Sequence, residues 1–222
     1  WVIERNEKWY EGIDEIGRKA YITPIVIVVD GRELLISNGS CVCDAMDVNT
    51  GELVWYIPQG VDSTISMPVE SDGILYFYTG FVTKENGENE CDLLAVDPSG
   101  TGDITGNILW RVSSPMLQLQ TPVIYDGLLY TVDSKSMLFC LDAFTGETIW
   151  QEKLKGKYHS SPVWADGKVY INSTRGKTYV FKAGREKELL TENSLEGEIW
   201  STPAFLQGEI LMRTSKFLYK IK

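Results

Sequence analysis

The sequence predicts an all-β chain, a β-propeller of four-stranded antiparallel blades. Three observations predict it. A hairpin signal, Pro then a short apolar run then Asp-Gly, recurs along the chain. A second phrase, Asp-x-x-Thr-Gly-Glu closing on Trp, recurs between those signals. Together they return at a period of roughly 40 residues, which suits a repeating unit of about four short strands.

The clearest copy is Gln118–Trp150. Pro122–Tyr125 and Leu128–Val132 are apolar runs around Asp126-Gly127, and a type I′ hairpin turn needs positive φ at both of its central residues. Met137–Leu141 is a third run, and Asp142 opens a Thr145-Gly146 turn into a fourth strand ending on Trp150. The hairpin signal returns at Pro68 with Asp72-Gly73 and at Pro162 with Asp166-Gly167. Looser copies are Pro24 with Asp30-Gly31 and Pro203 with Gln207-Gly208. The successive Pro residues lie 44, 54, 40 and 41 positions apart. Asp47 and Trp55 repeat the spacing of Asp142 and Trp150, and Asp97 to Trp110 is the same link with five extra residues. Pro donates nothing to a ladder, so it marks the first strand of each blade as an edge. The Trp on each fourth strand is expected to fill the gap between neighbouring blades.

Taken in order, Trp1–Arg5 reads as a fourth strand, followed by a polar link to Lys19. Complete blades are expected over Tyr21–Trp55, Thr64–Val112, Gln118–Leu154 and Tyr158–Leu190. The second carries an acidic insertion, Lys84–Glu90, and a Gly-rich one, Pro98–Asn107. In the fourth, Lys182-Ala-Gly184 replaces the Asp and Thr-Gly turn, and Leu189-Leu190 stands for the Trp. Residues 199–222 make a partial blade, with Phe217–Ile221 as its third strand. The whole reads as one propeller domain of about four complete blades plus a split or partial one. The two ends either combine into a fifth blade, or the chain is an arc from the C-terminal part of a larger ring. The start within a repeat, at Trp1 rather than Met, favours the arc.

The chain has 222 residues, 43% hydrophobic and 23% charged, enough for a sizeable core. No apolar run reaches the length of a membrane-spanning helix. A net charge of −10 argues against nucleic acid as a partner.

The phrase Leu141-Asp-Ala-Phe-Thr-Gly-Glu-Thr-Ile-Trp150 resembles the repeat of the PQQ-like (quinoprotein-like, BamB-type) β-propellers. The resemblance covers nearly the whole chain. It implies a seven- or eight-bladed ring and an extracytoplasmic location, periplasmic or secreted, in a bacterium. Two activities occur on that fold, a binding scaffold and a PQQ-dependent dehydrogenase acting on alcohols or sugars. The resemblance implies adjacent Cys residues, a Trp beneath the quinone, calcium ligands and a catalytic Asp for the second. Here the sequence departs, with Cys41-Val-Cys43 in place of adjacent Cys.

The other reactive residues read as structural. Cys43 and Cys140 suit small apolar core positions, and Cys41 and Cys91 occupy equivalent blade positions too far apart for a disulfide. The four Cys show no zinc spacing. His159, the only His, precedes a first strand and has no readable nucleophile partner. The Asp97–Asn107 loop offers oxygen ligands but no EF-hand or phosphate-loop pattern. Asn38-Gly-Ser40 and Asn172-Ser-Thr174 fit the glycosylation acceptor pattern. Trp55, Trp110 and Trp150 read as packing residues. The sequence therefore assigns no catalytic, cofactor-binding or metal-binding residue and predicts no cofactor. PQQ with calcium belongs to the dehydrogenase alternative alone. The expected function is a non-catalytic propeller that binds a protein, peptide or glycan on its loop faces or channel mouth.

Overall fold

A computed structural model describes residues 1–61, 65–83, 89–114 and 120–222. The expected blade limits Thr64 and Gln118, and residues 84–88 of the Lys84–Glu90 loop, lie outside them. The chain divides into two units, Trp1–Gln118 and Leu119–Lys222, and each is described by itself.

In the first unit, β1 (Ile25–Val29), β2 (Arg32–Asn38), β3 (Val42–Asp47) and β4 (Leu53–Pro58) form an antiparallel meander. The second blade contains β5 (Val69–Ser71), β6 (Ile74–Tyr78), a short β7 (Val82–Thr83) and β8 (Asn89–Val96). After β8 the chain makes β9 (Gly102–Asp103) before the last strand, β10 (Ile108–Ser114). This blade runs β5-β6-β8-β10, with β7 on β8. In the second unit, β11 (Val123–Tyr125), β12 (Leu128–Val132), β13 (Met137–Asp142) and β14 (Thr148–Lys153) make the third blade. The fourth is β15 (Val163–Ala165), β16 (Lys168–Asn172), β17 (Lys177–Lys182) and β18 (Leu189–Ser194). β19 (Ala204–Leu206), β20 (Glu209–Arg213) and β21 (Leu218–Ile221) form a three-stranded last blade.

The hairpin chemistry is as the sequence predicts. Both central residues have positive φ in all five first turns: Asp30-Gly31, Asp72-Gly73, Asp126-Gly127, Asp166-Gly167 and Gln207-Gly208. Each recurrent Pro stands one residue ahead of its first strand, and those first strands are end strands of their sheets. Among the described residues, helix is limited to 3-10 turns at Glu7–Tyr10 and Thr105–Asn107.

A cross-blade row explains why small residues sit in the third strands. Ile36, Ala45 and Trp55 lie opposite one another across β2, β3 and β4. Tyr76, Ala95 and Trp110 repeat the row, and Tyr130, Cys140 and Trp150 repeat it again. The ring planes of Tyr76 and Trp110 tilt by 50° at 5.9 Å, and those of Tyr130 and Trp150 by 55° at 5.9 Å. A larger residue at Ala95 or Cys140 would push those rings apart. Trp55 is fully buried among Leu75, Phe77, Leu94 and Val96 of the second blade. Blade four departs from the row. Thr191, not Leu189-Leu190, stands opposite Val180 at the Trp position, and both leucines are exposed.

Two further expectations are corrected. Trp1–Arg5 is no strand, because side-chain contacts hold it in place of a ladder. The Trp1 indole donates to the Val48 carbonyl at 2.9 Å, and Arg5 reaches Ser37 and Asp44. The Gly-rich loop is more than an insertion. β9 pairs in parallel with β4, Gly102 opposite Trp55 and Asp103 opposite Tyr56. The Ile104 N–H then donates to the Tyr56 carbonyl at 3.1 Å, and the Ile104 side chain enters the core of the first two blades. A segment between blade-two strands thus covers the edge strand of blade one.

Candidate binding surface

In the second unit, each blade is entered through a hydroxyl residue and Pro: Thr121-Pro122, Ser161-Pro162 and Thr202-Pro203. Pro keeps the residue before it extended, which aims that residue's N–H sideways toward the next blade. The Thr121 N–H donates to Ser161 Oγ at 3.0 Å, and the Ser161 N–H donates to Thr202 Oγ1 at 3.1 Å. Equivalent residues of three successive blades are thereby tied in line. Buried Ser160 adds a bond from its hydroxyl to the Asn172 carbonyl at 3.2 Å.

This registered scaffold positions the residues three places before each Pro. His159 and Trp200 are equivalent in blades four and five, and their rings stack at 4.4 Å and 18°. Trp200 is 53% exposed. Its indole N–H donates to Glu198 Oε2 at 2.9 Å. Glu198 is held in turn, since its N–H donates to Ser215 Oγ at 3.0 Å and the Ser215 N–H returns to the Glu198 carbonyl at 2.8 Å. Gly197 permits this approach, because a Cβ there would lie 2.8 Å from Thr214 Oγ1. The result is a shallow cavity of about 430 Å³ between Trp200 and the turn Arg213-Thr214-Ser215. A fixed flat aromatic beside a carboxylate and a guanidinium is chemistry for recognition. Such surfaces hold apolar side chains and bond the polar backbone around them. His159 faces an indole, not a hydroxyl or thiol, so its surroundings suit stacking more than proton transfer.

The remaining candidates are absorbed by the fold. All four cysteines are buried thiols. Burial pushes Cys140 up to about 11, against the opposing pull of the Tyr130 hydroxyl and Arg185. Asn38 and Asn172 are both buried. The Asn38 amide donates to the Tyr78 carbonyl at 2.9 Å, and Asn172 Oδ1 accepts from Thr178 at 2.7 Å, so neither acceptor motif offers its side chain to a glycan. Asp97 and Asp103 are turn residues. Asp97 Oδ1 accepts the Ser99 N–H at 3.0 Å, and Asp103 Oδ1 accepts the Thr105 hydroxyl at 2.6 Å. Among the described residues, no group of three or more His, Cys, Asp or Glu is placed to hold a metal. Cys41 and Cys43 are separated by a residue, and Trp150 is spent on Phe181 and Gly184 of the next blade.

One arrangement escaped sequence reading. Asp44 is buried between Cys43 and Ala45, and burial raises its pKa to about 6, with Arg5 pulling it back. Arg5 bonds Asp44 Oδ1 at 3.2 Å, the Ser37 hydroxyl, and the Tyr10 hydroxyl at 2.9 Å. An acidic residue inside an otherwise apolar third strand was the available signal.

Four-stranded antiparallel blades with Asp-anchored Thr-Gly turns and a blade-closing Trp define a repeat fold of the β-propeller type. Residues 89–187 match the family described as "Outer membrane protein assembly factor BamB". The match covers 99 of the 222 residues and likens this part of the chain to the BamB-type propellers. It is 25% identical over 203 residues to the outer membrane protein assembly factor BamB of Legionella pneumophila (strain Paris), covering 87% of this chain and 48% of that protein. It is 28% identical over 171 residues to BamB of Escherichia coli (strain K12), covering 76% of this chain and 39% of that protein. The crystal structure of BamB from Moraxella catarrhalis superposes with a TM-score of 0.65 at 13% identity, covering 93% of this chain and 60% of the other, which shows a shared fold. The chain thus spans half or less of the length of these curated relatives.

Proposed function

We propose that this chain is a non-catalytic propeller module that binds a protein or peptide component of outer-membrane-protein assembly, outside the cytoplasm. The observation that carries it is the exposed Trp200 indole, stacked on His159 and flanked by Glu198 and Arg213. It is the kind of rigid aromatic anchor that dominates protein interfaces. The likeness to proteins named as outer membrane protein assembly factors supports the choice of partner. The turn Asp residues and blade Trp residues hold turns and join blades, which leaves Trp200 as the exposed anchor.

The test is binding of a fluorescently labelled, urea-unfolded outer-membrane β-barrel protein, followed by anisotropy after dilution from urea. Wild type is expected to bind. Trp200→Ala is expected to weaken binding about tenfold or more, the loss typical of an interface anchor, with an unchanged melting temperature. Equal binding by the variant would remove the site. Binding only to a glycan array would replace the polypeptide partner with an oligosaccharide. Alcohol or sugar oxidation with added PQQ and calcium would replace the whole reading.

A further inference from the structure

The outer rim between blades three and four holds a second cleft, a cavity of about 390 Å³. β14 and the residues after it supply Glu152, Lys153 and Lys155, while β17, the turn after it and β18 supply Lys177, Lys187 and Glu192. Four lysines against two glutamates make this a basic site on a chain of net charge −10. Lys177 pairs with Glu192, and Lys187 with Glu152. Lys153 donates to the backbone carbonyl of Lys135, and the Lys155 ammonium has no partner among the described residues. Two cations are therefore left without a counter-ion.

A second observation points to a ligand. Tyr179 lines the same cleft and is 5% exposed; its phenol oxygen lies near the Tyr158 hydroxyl, which itself donates to the Lys155 carbonyl at 3.1 Å, and makes no well-formed hydrogen bond among the described residues. A buried donor without an acceptor weakens the free protein, and a ligand oxygen that supplies the acceptor recovers that loss.

The third observation concerns the edge beside the cleft. β18 ends its sheet, and all six of its residues are exposed. The protein shows on itself what such an edge accepts. On the corresponding fourth strand of blade one, the extended segment Gly102-Asp103 adds as β9, and the next residue, Ile104, is buried.

We propose that the rim cleft binds an acidic, extended segment of another polypeptide, added as a strand on β18. Side chains alternate in an extended strand, so every second one would drop between the blades. Carboxylates there meet Lys153 and Lys155, and the Tyr179 phenol donates to the innermost oxygen. This site is separate from the His159–Trp200 surface, and its failure would leave that surface untouched.

The probe is a short fluorescein-labelled peptide of alternating Asp and Val, titrated into the full chain at low salt. Binding is expected for this peptide and not for its Lys-for-Asp counterpart. Lys153→Glu with Lys155→Glu should weaken it by about tenfold or more, as loss of complementary charge does. Tyr179→Phe should weaken binding while leaving the melting temperature the same or higher, a pairing that mere structural damage does not give. Methylating alternate backbone nitrogens of the peptide should abolish binding, because strand addition needs those N–H groups. Undiminished binding of the methylated peptide would show a simple anion site and overturn the proposal. Undiminished binding by the double lysine variant, or loss of binding in Trp200→Ala, would overturn it too.

Discussion

The indole N–H of Trp150 donates to the Gly184 carbonyl, 3.0 Å away in the next blade. The Gly184 N–H donates to the Tyr130 hydroxyl at 2.8 Å. Two rings of blade three thus grip both sides of one backbone unit in blade four, and Trp150 also stacks over Phe181 at 5.8 Å. Trp150→Ala is expected to cost about 3–5 kcal/mol, the range for a buried aromatic, measured by urea unfolding. A cost near that of a surface substitution would show that the blades are held together elsewhere.

Trp55 provides the control. It is fully buried, but its indole nitrogen has no hydrogen-bond partner among the described residues. Replacing Trp by Phe therefore removes a bond at position 150 and none at position 55. Trp150→Phe should cost about 1 kcal/mol more than Trp55→Phe, the usual net worth of one hydrogen bond. Equal melting temperatures for the two variants would contradict this.

Asp44 ties stability to pH. Its burial raises the folded-state pKa to about 6, so the folded protein holds that proton more tightly than the unfolded chain does. The resulting stability is full below the ordinary carboxylate pKa, about 4, and is lost as pH rises through about 6. Asp44→Asn removes the titration and keeps an oxygen for Arg5. It should match wild type at about pH 4 and exceed it at about pH 8, by on the order of 3 kcal/mol. Denaturant midpoints at the two pH values check this, and a less stable variant at the higher pH would show that the Arg5 ion pair outweighs burial.

Ile104→Ala tests the borrowed edge strand. The side chain is buried in the first unit's core, so the loss should be about 2–5 kcal/mol. The same change should speed amide exchange along β4 more than along β2, because β9 is anchored by Ile104. Uniform acceleration in both strands would instead report global destabilisation alone.

Much of this architecture was legible because it rests on local chemistry. Asp-Gly demanded positive φ, and the backbone complies at every copy. The Asp-x-x-Thr-Gly phrase was legible for the same reason. Asp142 Oδ1 accepts the Phe144 and Thr145 N–H groups at 3.1 and 3.2 Å, and Asp47 does likewise for Asn49 and Thr50 at 2.9 and 3.0 Å. Non-local arrangements were not legible. Nothing periodic in Gly102-Asp103 says that it pairs with β4, and nothing in Trp1–Arg5 says that side chains replace a ladder. His159 and Trp200 were equivalent by counting back from Pro162 and Pro203, but only the spacing of the blades brings the rings together.

The borrowed strand also sets an order in time. A chain emerges from the ribosome amino end first. β4 is made well before Gly102, so blade one waits with its outer backbone groups unanswered while most of blade two is synthesised. During that interval the nascent chain offers a bare template to any passing extended segment. A chaperone that shields residues 53–58 until residue 104 appears would prevent that pairing, and a stalled or truncated product ending before β9 would keep the vulnerability for good.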